Sequence, residues 1–145
     1  MSYRKTSHSV YDIKYHVVWI TKYRKKVLKG QVGLRLRELV RQICKANDVY
    51  IVSGNIQPEH VHLLVSVPPH LSVSKLMQLV KGRTSRKLLQ EFEGINRQFW
   101  GRHLWVRGYF VASTGNVTDE VIKQYIESQG KEPPEDSDNF NVSEL

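Results

Sequence analysis

The sequence predicts a single α+β domain built around an antiparallel β-sheet. Three observations predict it: four segments are rich in β-branched and aromatic residues, three others have helical apolar spacing, and together they follow the order β-α-β-β-α-β-α. The first six elements match the ferredoxin-like (RRM-like) split βαβ pattern, with its helices on one face of the sheet. The seventh element is an extra C-terminal helix. The length, 145 residues, suits one domain.

The predicted strands are separated by residues that favour turns or helices. Gln57-Pro58-Glu59 separates the second and third strands so closely that the two predict a β-hairpin. Gly108 predicts a bulge in the fourth strand. The four predicted strands cover residues 10–20, 49–56, 60–67 and 104–113.

The predicted helices begin and end at residues typical of helix caps. The first covers residues 31–47, and its apolar residues are Leu36, Leu39, Val40 and Ile43. Ser72 is expected to cap the second, which extends to about residue 90, and 91–101 is predicted to be a loop. The last covers about 117–129, with Asn116 or Thr118 as its cap and Gly130 at its end.

The charge is unevenly distributed. Residues 131–145 contain one lysine and five acids, a net charge of −4, and we expect a disordered or loosely docked tail there. The predicted domain, 1–130, has 21 basic and 9 acidic residues. So basic a domain favours nucleic acid as a partner, although a basic surface that serves only solubility gives the same numbers.

The sequence also bounds the location of the protein. Cys44 is the only cysteine, and its apolar neighbours predict a buried thiol rather than a disulfide or a cysteine zinc site. The N-terminal residues lack the apolar stretch of a signal peptide, and no run approaches 18 apolar residues. We expect a cytoplasmic protein, associated with the nucleoid when bound to DNA, without membrane contact.

His60 and His62 are two residues apart on the third predicted strand. Side chains alternate across a strand, so both imidazoles are expected on one face, with Val61 directed into the core. The pair is then close enough to bind one metal ion, or it consists of two half-buried histidines. Glu59 is expected to face away from the pair. The other histidines show no partner pattern: His8, His16, His70 and His103.

Tyr125 and Gln129 are four residues apart on the last predicted helix. This spacing puts both side chains on one helical face, one turn apart. A tyrosine hydroxyl can act as a nucleophile, but a helical tyrosine beside Val121, Ile122 and Ile126 can equally serve packing alone.

Taken together, the two pairs resemble a known family. A His-hydrophobic-His element after a hairpin turn, followed by a helical Tyr-x-x-x-Gln near the C-terminus, is similar to the HUH single-tyrosine transposases of the insertion-sequence 200/605 family. The resemblance covers about residues 8–130. Three longer segments agree with it: YHVVWITKYRKKVL, NIQPEHVHLLVSVPP and WGRHLWVRGYFVASTGNVTDEVIKQYIESQG.

The resemblance implies the chemistry of the site. Tyr125 would attack a DNA phosphate to form a 5′-phosphotyrosine link and release a 3′-hydroxyl. His60, His62 and Gln129 would bind a divalent metal ion, Mg²⁺ or Mn²⁺. The chain contains no Gly-rich phosphate loop, which agrees with rejoining that needs no ATP.

The resemblance also implies an assembly. In the related transposases the tyrosine helix of one subunit completes the histidine pair of the other. We therefore expect a homodimer with two composite sites, joined along a sheet edge, with Gly115-Asn116 as the hinge.

The expected substrate is single-stranded DNA whose element ends form hairpins. Basic side chains would neutralise its phosphates, and Tyr23 or Trp100 could stack on unpaired bases, whereas burial is favoured for Trp105. The candidate DNA-binding residues lie in two stretches: Lys22, Arg24, Lys25 and Lys26, and then Lys75, Lys81, Arg83, Arg86 and Lys87.

Three alternatives stay open at this point. One is a non-catalytic module that binds single-stranded nucleic acid on the same fold, although HVHLLVSV stands where the usual aromatic RNA-binding motif would be. Another is a replication initiator or relaxase with the same chemistry; these are usually larger. The third, a repeat-associated tyrosine nuclease that acts on chromosomal hairpins, is closer.

Overall fold

The computed structural model describes residues 3–113 and 119–129. Its centre is a four-stranded antiparallel sheet of β3 (Lys14–Ile20), β4 (Tyr50–Ile56), β5 (His60–Ser66) and β6 (Phe110–Ala112). The strands lie in the order β4-β5-β3-β6. This is the strand order of a split βαβ fold, so the predicted fold class is confirmed.

The first predicted strand, 10–20, is broken in the structure. Its first residues form β2 (Val10–Tyr11), which pairs with β1 (Arg4–Lys5) in a separate two-stranded sheet. Arg4 anchors this hairpin to the domain, because its guanidinium donates to the carbonyls of Ser66 and Asp48 and lies over the Tyr50 ring.

Two long helices cover one face of the central sheet. They are α1 (Gln31–Ala46) and α2 (Val73–Glu91), and the Ser72 hydroxyl caps α2 as predicted, by accepting from the Lys75 N–H at 3.1 Å. Val17, Trp19 and Val61 are fully buried on this face. Cys44 is buried in α1, and this burial raises its pKa to about 11.

The segment after α2 departs from the prediction. A short helix, α3 (Glu93–Gln98), stands where a loop was predicted for 91–101. Its formation buries Ile95, and Phe99 just after it is buried as well. The glycine and asparagine residues of this stretch suggested a loop, but the burial of two large apolar side chains outweighs that local preference.

The fourth predicted strand, 104–113, is much shorter in the structure. Only β6 pairs along the sheet, while Trp105 forms an isolated bridge with Thr21. The Lys81 ammonium donates to the carbonyls of Val106 and Gly108 at 2.8 and 2.6 Å, so those carbonyls bond to a side chain instead of a strand. Gly108 has a φ of 94°, a conformation that favours glycine.

The last helix, α4 (Asp119–Ser128), packs on the opposite face of the sheet from α1 and α2. Ile122 is buried there, and the Tyr125 ring lies 5.7 Å from the ring of Phe110. The predicted caps of this last helix, the predicted hinge and the acidic tail at 131–145 lie outside the described residues. No helix of the described part is long and apolar enough to span a membrane.

Candidate active site

The histidine pair lies at the start of β5, on the face that α4 covers. His60 is paired across the sheet with Ile20 of β3, and His62 with Val18. Val61 between them is fully buried on the other face, as the alternation predicted. The structure therefore brings the two imidazoles together on one side of the sheet.

Both imidazoles line one cleft of about 540 Å³ between the sheet and α4. The β4-β5 hairpin contributes polar groups, and Arg24 enters from the turn that follows β3. Besides the two histidines and Arg24, the lining residues are Asn55, Gln57, Glu59, Ile122, Lys123, Ile126 and Glu127.

The Glu59 side chain contacts His60, so the expectation that it faces away is wrong. Its Oε1 lies 2.6 Å from His60 Nδ1. A carboxylate only accepts, so Nδ1–H of His60 is the donor, and in a neutral ring Nε2 carries the lone pair. Strand alternation does not apply to Glu59, because β5 begins only at His60. A carboxylate that holds the far side of an imidazole is the usual support of a histidine metal ligand.

His16, for which no partner was predicted, contacts His62. The two side chains lie on adjacent strands and the same face, with His16 Nδ1 3.0 Å from His62 Nε2. One of these two nitrogens carries the shared proton. The signal in the sequence is the alternation of His16, Val18 and Ile20 in β3, but the contact itself requires the register between β3 and β5.

Tyr125 and Gln129 are not among the residues that line the histidine cleft. The Tyr125 ring packs on Phe110, and its partial burial raises the pKa of the hydroxyl. The Gln129 amide donates to the Tyr125 carbonyl at 3.3 Å. Ile126 faces the cleft instead, about 100° around the helix from Tyr125. When α4 packs on its own sheet, it therefore directs Ile122 and Ile126 toward the histidines, and not Tyr125 or Gln129.

The two imidazoles of the histidine pair can bind a divalent metal ion only together with further ligands. Two imidazoles face one cleft, and Glu59 supports the first of them. Within residues 3–113 and 119–129, no three His, Cys, Asp or Glu side chains form a metal-binding group.

A second cleft, here called the basic cleft, lies beside α2 and the loop that leads to β6. It has a volume of about 870 Å³, and no acidic side chain is among its lining residues. Three of its cationic residues, Lys22, Lys81 and Arg86, are predicted DNA-binding residues. Three further basic residues were missed, because they lie in a loop outside the two basic stretches: Arg102, His103 and Arg107.

The other predicted DNA-binding residues are dispersed. Lys25 and Lys26 line a separate depression beside α3, and Lys25 Nζ donates to the Gln98 carbonyl at 3.0 Å. Neither Arg83 nor Lys87 of α2 lines the basic cleft. Lys81 is half-buried, and this burial lowers its pKa.

The aromatic side chains considered for stacking on bases differ in their exposure. Trp100 and Tyr23 are 83% and 68% exposed. Trp105 is buried as predicted, with its indole N–H donating to Thr84 Oγ1 at 3.0 Å.

Comparison with known proteins decides the family. The family model described as "Transposase IS200 like" matches residues 9–129, most of the chain. The chain belongs to this family. The resemblance stated from the sequence is thereby confirmed, and the protein is an IS200-like transposase, an enzyme of a family that cuts and joins DNA strands.

Two transposases are similar in sequence to this chain over most of its length. It is 32% identical to the ISDra2 transposase TnpA of Deinococcus radiodurans over 120 residues, 83% of this chain and 86% of that protein. It is 31% identical over 129 residues to the transposase for insertion sequence element IS200 of Salmonella typhimurium, covering 89% and 84%.

Two solved structures share the fold. The crystal structure of a candidate transposase from Deinococcus radiodurans matches with a TM-score of 0.80 and 32% identity, covering 87% of this chain and 97% of that one. A REP-associated tyrosine transposase bound to a REP hairpin matches with a TM-score of 0.53 and 16% identity, covering 88% and 73%. The second shows a common fold only. IS200-like transposases generally depend on a divalent metal ion.

Proposed function

We propose that this transposase cuts and rejoins single-stranded DNA at hairpin-bearing element ends through a 5′-phosphotyrosine link to Tyr125. The observation that carries the proposal is the cleft in which His60 and His62 lie side by side beneath the helix that contains Tyr125. The distant relative bound to a REP hairpin supports a hairpin as the substrate. The 31–32% identical relatives are insertion-sequence transposases, which favours element ends over chromosomal repeats.

The chemistry exchanges one phosphate ester for another. Tyr125 Oη attacks phosphorus, the bond to the 3′ oxygen breaks, and that oxygen leaves with a proton as a 3′-hydroxyl. In the second half, a 3′-hydroxyl attacks the phosphotyrosine and gives up its proton, the Tyr125 oxygen leaves and takes up a proton, and a phosphodiester forms again. Because burial raises the pKa of Tyr125, the nucleophile starts as a neutral hydroxyl at pH 7 and loses its proton during the attack.

His60 and His62 would hold a divalent ion, Mg²⁺ or Mn²⁺, with Gln129 as the third ligand. When bound, the ion would polarise the scissile phosphate and offset its charge. Glu59 contacts Nδ1 of His60 and fixes the orientation of that ring, and His16 contacts Nε2 of His62. The chain thus supplies two oriented imidazoles, while a nearby Arg24 offers positive charge to the DNA backbone.

The position of α4 supports a site shared between two subunits. In one chain, Tyr125 and Gln129 lie on the stripe of α4 that the histidine cleft does not contact. Delivery of the same helix from a partner subunit allows a different rotation about its axis. We therefore propose a dimer joined along a sheet edge, in which Tyr125 of one subunit lies over His60 and His62 of the other. Residues 1–130 form the folding unit of each subunit.

The adduct assay tests the nucleophile and the metal. A labelled single-stranded hairpin oligonucleotide is incubated with the protein and Mn²⁺ or Mg²⁺, and denaturing gels are inspected for a covalent adduct. We expect the adduct to disappear in Tyr125→Phe and on addition of EDTA, but to persist in Tyr50→Phe, which removes the hydroxyl of an exposed tyrosine. An adduct formed by Tyr125→Phe overturns the nucleophile, and one formed in EDTA overturns the metal.

A mixed dimer tests the exchange of α4. Tyr125→Phe and His60→Ala chains are co-expressed with different tags, and the heterodimer is purified through both tags. Exchange of α4 creates one site with an intact tyrosine and an intact histidine pair, so about half of the wild-type adduct yield returns. A heterodimer as inactive as each parent shows that every subunit uses its own tyrosine.

A further inference from the structure

The turn after β3 connects the two clefts. It consists of Lys22, Tyr23 and Arg24, a single turn of 3₁₀ helix. Lys22 lines the basic cleft, whereas Arg24 lines the histidine cleft. Tyr23 lies between them and is 68% exposed. Three consecutive residues therefore reach from one cleft to the other.

The turn is held firmly in an uncommon conformation. Tyr23 and Arg24 have φ values of 61° and 51°, in the left-handed region that residues other than glycine rarely adopt. Hydrogen bonds fix the turn and its flanking residue Thr21 to two other parts of the fold, and a third bond closes the turn. The Lys22 N–H donates to the Leu104 carbonyl at 2.7 Å, the buried Thr21 N–H to the Glu59 carbonyl at 2.9 Å, and the Thr21 hydroxyl to the Lys25 carbonyl at 2.7 Å.

An exposed aromatic ring in this position is suited to an unpaired base. The ammonium groups of Lys22 and Lys25 lie 5.5 and 6.0 Å from the centre of the Tyr23 ring, so the phosphates next to a stacked base would meet positive charge. A base within a duplex is already stacked on its neighbours and does not offer its face to such a ring. The ring thus favours single-stranded over double-stranded DNA.

We infer that this turn guides the single strand from the basic cleft to the histidine cleft. The basic cleft, with six basic side chains and no acid among its lining residues, binds phosphates remote from the cut. Tyr23 stacks on one unpaired base, and Arg24 contacts a phosphate near the scissile bond. This inference rests on the proposed function, since it requires that the substrate be single-stranded DNA.

The inference is tested by binding alone, so that it can fail separately from the chemistry. All variants carry Tyr125→Phe, which prevents covalent capture. Their binding to a labelled hairpin with a single-stranded flank is measured by fluorescence anisotropy. We expect Tyr23→Ala to weaken binding roughly 5- to 100-fold, the effect of removing one base–aromatic stack, and Tyr23→Phe to bind like the parent. Tyr3→Ala removes another exposed tyrosine, which lines neither cleft, and serves as the matched control.

Two further measurements locate the contact. A 2-aminopurine base moved along the flank should be quenched by the parent at one position, and this quenching should be absent in Tyr23→Ala. Arg102→Gln should lower the slope of log affinity against log salt by about 0.7, the value for one lost single-strand phosphate contact. The inference is overturned if Tyr23→Ala binds like the parent, or if it loses as much affinity for a blunt hairpin without a flank. Neither result bears on adduct formation by the protein with Tyr125 intact, which tests the proposed function separately.

Discussion

The two faces of the central sheet use the same strands for different purposes. Toward α1 and α2, the strands direct only apolar side chains such as Val17, Trp19 and Val61, all fully buried. Toward α4, buried Val18 and Ile20 of β3 stand opposite His62 and His60 of β5, which line a cleft. Because neighbouring residues on a strand face opposite sides, a shift of one position separates a residue that stabilises the fold from one that serves the site. The loss of stability and the loss of activity should therefore be separable within a single strand pair.

A large difference in the free energy of unfolding between two substitutions would demonstrate that separation. Trp19→Ala removes a fully buried ring that packs edge to face on Trp105, and should lower the free energy of unfolding by about 3–5 kcal/mol. His60→Ala, one position along β5 from the residue opposite Trp19, loses one partly buried hydrogen bond and should lower it by no more than about 1.5 kcal/mol. Urea unfolding followed by circular dichroism measures both.

The adduct assay completes the comparison. His60→Ala should form no detectable phosphotyrosine adduct under conditions where it is fully folded. If it instead unfolds as readily as Trp19→Ala, the face toward α4 contributes to stability as much as the face toward α1 and α2, and the division between the faces is wrong.

A smaller effect is expected for the support of the histidines. Glu59→Gln keeps the size of the side chain but removes the charge that holds His60 Nδ1–H, so the affinity for Mn²⁺ should fall about 10- to 100-fold. Isothermal titration of Mn²⁺ into the Tyr125→Phe protein measures this without turnover. Glu93→Gln, at an exposed position of α3, is the matched control. An unchanged affinity in Glu59→Gln would mean that the hydrogen bond does not position the ligand.

The smallest effect concerns Tyr125 and its docking. Burial raises its pKa above the usual value, so the neutral hydroxyl is the form that docked α4 favours. The corresponding stability is present below the unfolded pKa of about 10 and is lost as the pH rises through the higher folded pKa. A difference titration of tyrosine absorbance between wild type and Tyr125→Phe should show Tyr125 ionising after the exposed tyrosines. Ionisation together with them would show that α4 does not bury the hydroxyl.

Local pattern predicted most of the fold, and its errors have physical causes. The hairpin of β4 and β5, the Ser72 cap and the apolar sides of α1 and α2 all follow from spacing within a few residues. The loop predicted at 91–101 failed because Ile95 and Phe99 gain burial only against the assembled core. The strand predicted at 104–113 failed because Lys81, more than 20 positions away, binds the carbonyls of Val106 and Gly108.

The same limit applies to the site. The shared face of His60 and His62 depends on a period of two and was predictable. The contact of His16 with His62 depends on the register between β3 and β5, which no local pattern specifies. The rotation of α4, which leaves Tyr125 beside Phe110, depends on how a whole helix packs. The roles of Tyr125 and Gln129 rest on the family resemblance and stay predictions.

The short β6 at the edge of the sheet sets a reach for any exchanged helix. From Ser113, the last described residue after β6, to Asp119 at the start of α4 there are six steps along the chain. Such a tether spans about 20 Å when fully extended. The start of an exchanged α4 must therefore lie within that distance of β6, and Tyr125 lies about 9 Å further along the helix. Lengthening the tether should relax this restriction one residue at a time.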